Sequence, residues 1–149
     1  MGATGSFLLP QVSNAGSPAH PDAPAGHAFT AGACVTILKA VFDVGTPDRP
    51  KPWPVAPVQA SADGLSLVTT GDTNLTVLGE LNKLATNVAE GRNILGIHSR
   101  VGGNLLGLSL GEEVAISVLQ EQAKTYPETF SGWALTKFDG TTVTFGGNV

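Results

Sequence analysis

PAGHAFTAGACVTILKAVFD, residues 24–43, is the stretch on which the fold of this chain turns. Phe29, Ala33, Cys34, Ile37, Leu38 and Val41 recur at three- and four-residue spacing, the pattern of an amphipathic helix. The spacing predicts a helix over 28–43 with its N-terminus at Gly26 and His27. Cys34, between Ala33 and Val35, reads as a small buried hydrophobe on its inner face. The start of the helix carries chemistry of its own. Pro24 precedes it and Gly26 has no side chain, so backbone N–H groups are left facing any approaching ligand. The helix dipole adds about half a positive charge there. In outline this is an anion site.

Working outward, residues 1–24 hold Pro10, Pro18, Pro21 and Pro24 and read as an irregular lead-in. Pro47, Pro50, Pro52, Pro54 and Pro57 make 44–72 a long excursion, too proline-rich for a helix or a central strand. A second helix is expected after Asp72 or Thr73, either of which can cap it. Leu75, Leu78, Leu81, Leu84, Ala85 and Val88 lie on one face, and the helix runs toward Gly91. A third follows Gly102 and Gly103, with Leu106, Leu110, Val114, Val118 and Leu119 as its stripe, and ends before Pro127. From Trp133 to Phe145, Asp139 and Gly140 sit between two β-prone runs and predict a two-residue hairpin. The expected class is all-α, a helical bundle with a short C-terminal β-hairpin.

Composition narrows the function. A chain of 149 residues is long enough for one domain with its own core. With 42% hydrophobic residues, 13% charged and a mean hydropathy of +0.15, it carries more apolar surface than a lone domain needs, which points to a homo-oligomer. Net charge is −4 and the eight Lys and Arg are scattered, which argues against nucleic acid as a partner. A single cysteine excludes an intrachain disulfide. No apolar run reaches the roughly 20 residues of a membrane span. The start, Met1 to Ser6, lacks the regions of a signal peptide, and localisation stays open.

A second chemical segment is Gly91-Arg92-Asn93-Ile94-Leu95-Gly96-Ile97-His98. Arg92 can present a guanidinium fork to an oxyanion, and Gly96 lets the backbone turn so that His98 reaches the same centre. Taken singly, each segment has a plainer reading. The helix start is an ordinary cap, Arg92 closes a surface ion pair, and His20 is a solvated loop residue.

Taken together and in order, the segments resemble the vanadium-dependent haloperoxidases of the algal bromoperoxidase branch. The likeness runs through Phe7-Leu8-Leu9-Pro10, Gly16-Ser17-Pro18-Ala19-His20-Pro21 and Pro24-Ala25-Gly26-His27-Ala28, matching the region of that family's Pro-Ser-Gly-His motif. It continues through Leu81-Asn82-Lys83-Leu84-Ala85, Gly91-Arg92, Gly96-Ile97-His98 and Gly107-Leu108-Ser109-Leu110-Gly111-Glu112. It covers nearly the whole chain and implies the C-terminal, vanadate-binding part of such an enzyme, on a helical scaffold shared with phosphatidic-acid-phosphatase-type enzymes.

The resemblance assigns roles residue by residue. His98 would bond the vanadium, Arg92 and the Gly26 N–H would hold vanadate's equatorial oxygens, and His27 would be the acid–base histidine. His20 would stand near the halide and peroxide. The implied cofactor is vanadate, for which phosphate can substitute, and the implied partners are hydrogen peroxide, bromide and an organic acceptor. As a Lewis acid, vanadate would activate peroxide to oxidise bromide to hypobromous acid.

Departures from the pattern matter as much. Ala25 replaces the usual serine, removing a hydroxyl. Gly102 replaces an aspartate that supports the vanadium-binding histidine, which predicts a looser His98. Asp22 adds negative charge near the anion site. The family's lysine and Arg-Pro motif has no counterpart upstream, and Arg49-Pro50 lies on the wrong side of His27. Three readings follow: a haloperoxidase whose missing cations come from elsewhere, a phosphate-binding protein or acid phosphatase, and a non-catalytic oligomeric scaffold.

Overall fold

The computed structural model of the chain describes residues 21–126 and 133–146, so the lead-in up to residue 20 and Pro127 lie outside it. Helix α1 (Gly26–Val41) starts at the expected residue. Next come β1 (Gly45–Thr46), β2 (Arg49–Pro50), β3 (Val58–Ala60), β4 (Leu67–Thr69) and α2 (Val77–Ile94). A π-helical turn over Arg100–Leu105 then leads into α3 (Leu106–Thr125), β5 (Trp133–Thr136) and β6 (Thr142–Phe145). The strands form three antiparallel pairs, β1–β2, β3–β4 and β5–β6. Three helices dominate as expected, but the all-α expectation is amended by β1 to β4. The prolines are accommodated because these strands are two or three residues long and exposed except at Gly45.

Helix α2 starts later than Asp72 or Thr73, and its cap is Thr76, whose hydroxyl accepts the Gly79 N–H at 3.0 Å. Tertiary pairing competes with an earlier start. Trp53 N–H donates to the Leu75 carbonyl at 2.8 Å and Val77 N–H to Lys51 at 2.9 Å, which keeps residues 75–77 extended against the excursion. Asp72 instead accepts the Asn74 N–H in a turn of its own.

The helical period of the sequence is right, but its phase is not. Helix α1 buries Ala28, Ala31, Gly32, Val35, Thr36 and Lys39, while Cys34 is exposed and Val41 is 70% exposed. Helix α3 buries Gly107, Gly111, Ala115, Ile116, Leu119 and Ala123 and turns Leu106, Leu110, Val114 and Val118 outward. Glycine at the α1–α3 crossing causes this. A Cβ on Gly32 would collide with the Leu108 carbonyl, one on Gly111 with the Phe29 carbonyl, and one on Gly107 would lie 2.8 Å from the Ala25 carbonyl. With backbones this close, only small side chains fit between the axes. The branched ones are displaced to the flanks, including Leu84 and Val88 of α2, which packs through Ala85 and Ala89.

The larger core lies at the other end, where Leu135 and Phe145 of the hairpin pack on Ile116, Leu119 and Ala123. Its turn is one residue longer than expected. Lys137 N–H donates to the Thr141 carbonyl and Gly140 N–H to the Lys137 carbonyl, and Gly140 takes φ +85°, the left-handed position of a three-residue loop. Lys39 anchors this hairpin to the helices. Its buried ammonium donates to the Thr136 carbonyl at 3.2 Å, lies 3.8 Å from Glu112 and sits over the Phe138 ring. Burial pulls the Lys39 pKa down to about 8 and raises that of Glu112.

Candidate functional site

Gly26 and His27 are the first two residues of α1, and the N-cap residue Ala25 offers no side-chain cap. In any α-helix the first N–H groups lack intrahelical partners, so here the backbone itself is the donor set. Ala25 is fully buried, and its N–H donates to the Gly103 carbonyl at 3.0 Å, tying the start of α1 to the π-helical turn. A Cβ on Gly26 would meet nothing within 4 Å among the described residues.

Arg92 lies in the last turn of α2. The helix ends in a Schellman motif: Ile97 N–H donates to the Arg92 carbonyl and Gly96 N–H to the Asn93 carbonyl, with Gly96 at φ +75°. Only glycine takes that backbone cheaply, and the reversal carries His98 back toward α1. The rings of His27 and His98 lie 6.1 Å apart, tilted by 50°. The two segments singled out in the sequence therefore meet at one place.

Electrostatics mark the same place. Partial burial lowers the His27 pKa below the ordinary histidine value, and the charges of Arg92 and His98 lower it further. The buried Arg92 Nε has no hydrogen-bond partner among the described residues. A buried guanidinium nitrogen left unpaired is costly, and an oxyanion is the ligand that would satisfy it. Among the described residues no three His, Cys, Asp or Glu converge as a cation site. The donor set fits a tetrahedral oxyanion.

Asp22 and Ser99 complete the arrangement, and the sequence did not pair them with His98. One Asp22 oxygen meets His98 Nδ1 at 2.9 Å. The other accepts the Ser99 N–H at 3.0 Å and the Ser99 hydroxyl. The Ser99 hydroxyl above all, together with His98, holds the Asp22 carboxyl below the usual carboxylate range despite opposing desolvation. The signal that could have found this pairing was the empty carboxylate position at Gly102. His98 is therefore held by a carboxylate, contrary to the looseness expected from that glycine.

Of the other expected residues, His20 lies outside the described residues. Arg49 and Pro50 form β2, both exposed. An apolar groove of about 650 Å³ runs from Gly26 and His27 along α1 and α2, past Thr30, Cys34, Leu84 and Val88. Among the described residues no helix is long and apolar enough to cross a membrane.

No family model matches the chain. Curated relatives do. It is 50% identical over 139 residues, 93% of its length, to a vanadium-dependent bromoperoxidase of Corallina pilulifera, and equally to one of Corallina officinalis. It is 40% identical over 149 aligned residues, 95% of the chain, to the vanadium-dependent bromoperoxidase of Ascophyllum nodosum. The chain spans 22% of the length of the two Corallina proteins and 26% of the Ascophyllum one.

Proposed function

We propose that this chain, similar over nearly all its length to vanadium-dependent bromoperoxidases, is the vanadate-holding part of a haloperoxidase. Such an enzyme would use hydrogen peroxide to oxidise bromide to hypobromous acid, which halogenates an organic acceptor. The observation that carries this reading is the unpaired buried Arg92 Nε beside two converging histidines and an uncapped helix start. In this reading the chain corresponds to the C-terminal part of the longer relatives and forms one domain of the helical-bundle type common to haloperoxidases and acid phosphatases.

Each residue then has a task. Arg92 and the Gly26 N–H hold oxyanion oxygens by charge-assisted and dipole-assisted hydrogen bonds. His98 would hold the vanadium through Nε2, its Nδ1 being engaged by Asp22. His27, kept neutral by desolvation and neighbouring positive charge, accepts a proton from incoming peroxide on a ring nitrogen. His20 serves the halide end. Bound vanadate supplies a Lewis acid that polarises the peroxide O–O bond without a redox change. The lysine and Arg-Pro of the family come from a second copy of the chain or from further polypeptide. The outward Leu84, Val88, Val114 and Val118 support an additional covering surface.

The same donor set would accept phosphate, so phosphate binding or hydrolysis is the second reading, supported by the same unpaired Arg92 Nε. Calorimetric titration with vanadate and with phosphate, alongside a bromination assay with peroxide and bromide, separates the two. The expected result is millimolar or tighter binding of both anions, lost in Arg92→Ala, with bromination dependent on vanadate. No anion binding at millimolar concentration would leave a non-catalytic scaffold. Binding without bromination would favour the phosphate reading.

A further inference from the structure

We propose that Asp22 is the positioning residue of His98, performing from the segment before α1 the task that the resemblance gives to an aspartate at position 102. The proposal rests on the oxyanion-site reading for its purpose, but its geometry stands apart from it. The Asp22 carboxylate bridges His98 Nδ1 at 2.9 Å and the Ser99 N–H at 3.0 Å, and also takes the Ser99 hydroxyl. Ser99 in turn accepts the Gly103 N–H at 3.2 Å and is the N-cap of the π-helical turn, so the acceptor that orients the imidazole is itself fixed by backbone.

Glycine at 102 and 103 makes the room. A Cβ on Gly103 would lie 2.7 Å from one Asp22 oxygen and 3.2 Å from His98 Cβ, so no side chain is possible there while Asp22 is in place. A Cβ on Gly102 would point at the same spot, 3.3 Å from Ser99 Oγ and 3.9 Å from the second Asp22 oxygen. A carboxylate grown from 102 and the carboxylate of Asp22 are thus alternative occupants of one space beside His98. The chain has lost the first and carries the second.

The consequence is a tautomer. A neutral imidazole has one N–H, and a carboxylate at Nδ1 selects the form with the proton on Nδ1, leaving the lone pair on Nε2. Without that acceptor the proton is no longer held on Nδ1, and Nε2 is no longer kept as the nitrogen that can bond a metal. The same bond orients the ring.

The test uses the full chain labelled with ¹⁵N. Long-range ¹H–¹⁵N spectra at pH 8 report which His98 nitrogen carries the proton, with or without anion. The wild type is expected to show Nδ1–H and an unprotonated Nε2, and Asp22→Ala the reverse. Vanadate affinity, followed by ⁵¹V spectra, is expected to fall roughly 10- to 100-fold in Asp22→Ala. The relocated carboxylate in Asp22→Ala/Gly102→Asp should restore both the tautomer and the affinity. Asp22→Asn keeps the volume, and so guards against a folding defect in the alanine variant; it should also lose Nδ1–H selection. An unchanged His98 tautomer in both Asp22→Ala and Asp22→Asn, or a double variant that recovers neither readout, overturns the proposal. If the wild type binds no vanadate, the oxyanion reading fails and the tautomer alone still decides the role of Asp22.

Discussion

Gly111 of α3 faces the carbonyl of Phe29 in α1 so closely that no Cβ fits between them. Together with the approaches at Gly32 and Gly107, it sets the distance between the two helices that carry most of the interhelical packing.

Gly111→Ala is therefore expected to destabilise the fold by roughly 1–3 kcal/mol, the usual cost of forcing extra volume into a close-packed contact. Gly91→Ala, in a helix and with nothing within 4 Å of the added Cβ, is expected to stabilise by about 0.4–1 kcal/mol. Urea unfolding of the two variants checks the contrast. Equal effects would mean that the crossing is not set by glycine.

Stability should rise on the alkaline side. The folded Lys39 pKa is about 8, whereas an unfolded lysine titrates near its ordinary 10.5. Between those values the unfolded chain binds more protons at this site than the folded one, so unfolding becomes less favourable as pH rises. The gain from pH 8 to 10.5 is up to about 3 kcal/mol by linkage. Denaturant midpoints across that range, measured for the wild type and Lys39→Met, test it: the rise should disappear in the variant.

Ala25→Ser places a hydroxyl at the N-cap of α1, where the present side chain makes no cap. Vanadate affinity should increase several-fold, from roughly 0.5–1.5 kcal/mol of hydrogen-bond energy. His98→Ala should abolish vanadate-dependent bromination while circular dichroism stays helical, since no core cluster includes that ring. An Ala25→Ser variant that gains thermal stability but no affinity would show the hydroxyl serving the helix rather than the anion.

Val114 and Val118 are 48% and 47% exposed and line an apolar groove with Cys34 and Leu38. If a second copy covers this face, light scattering will give a mass above the 15.2 kDa of one chain. Val118→Glu should return it to one chain at unchanged helicity, because a charge cannot be buried unpaired in such an interface. A wild type that is monomeric at all concentrations would remove the homo-oligomer from consideration.

What the sequence determined by itself was local. Gly26 and His27 at a helix start, the backbone turn at Gly96, and a hairpin turn at Asp139-Gly140, though one residue longer than expected, act through backbone angles and hydrogen bonds a few residues long. The surrounding chain does not alter them. His27, Arg92 and His98 stand beside such signals, but the roles proposed for them come from the family resemblance and not from spacing. Helical period was legible, but phase was not. Which face turns inward depends on what the neighbouring helix presents, and Gly32, Gly107 and Gly111 admit a backbone where the leucine and valine stripe was expected to pack. Cys34 was misplaced by that rotation. Thr76 caps α2 only because residues 51–53 hold the preceding chain extended. Asp22, read as a stray negative charge, became the partner of His98 because the α1 start and the π-helical turn bring them together across the fold. Tertiary structure decided these points, since each is an interaction between groups far apart in sequence whose distance is set by packing.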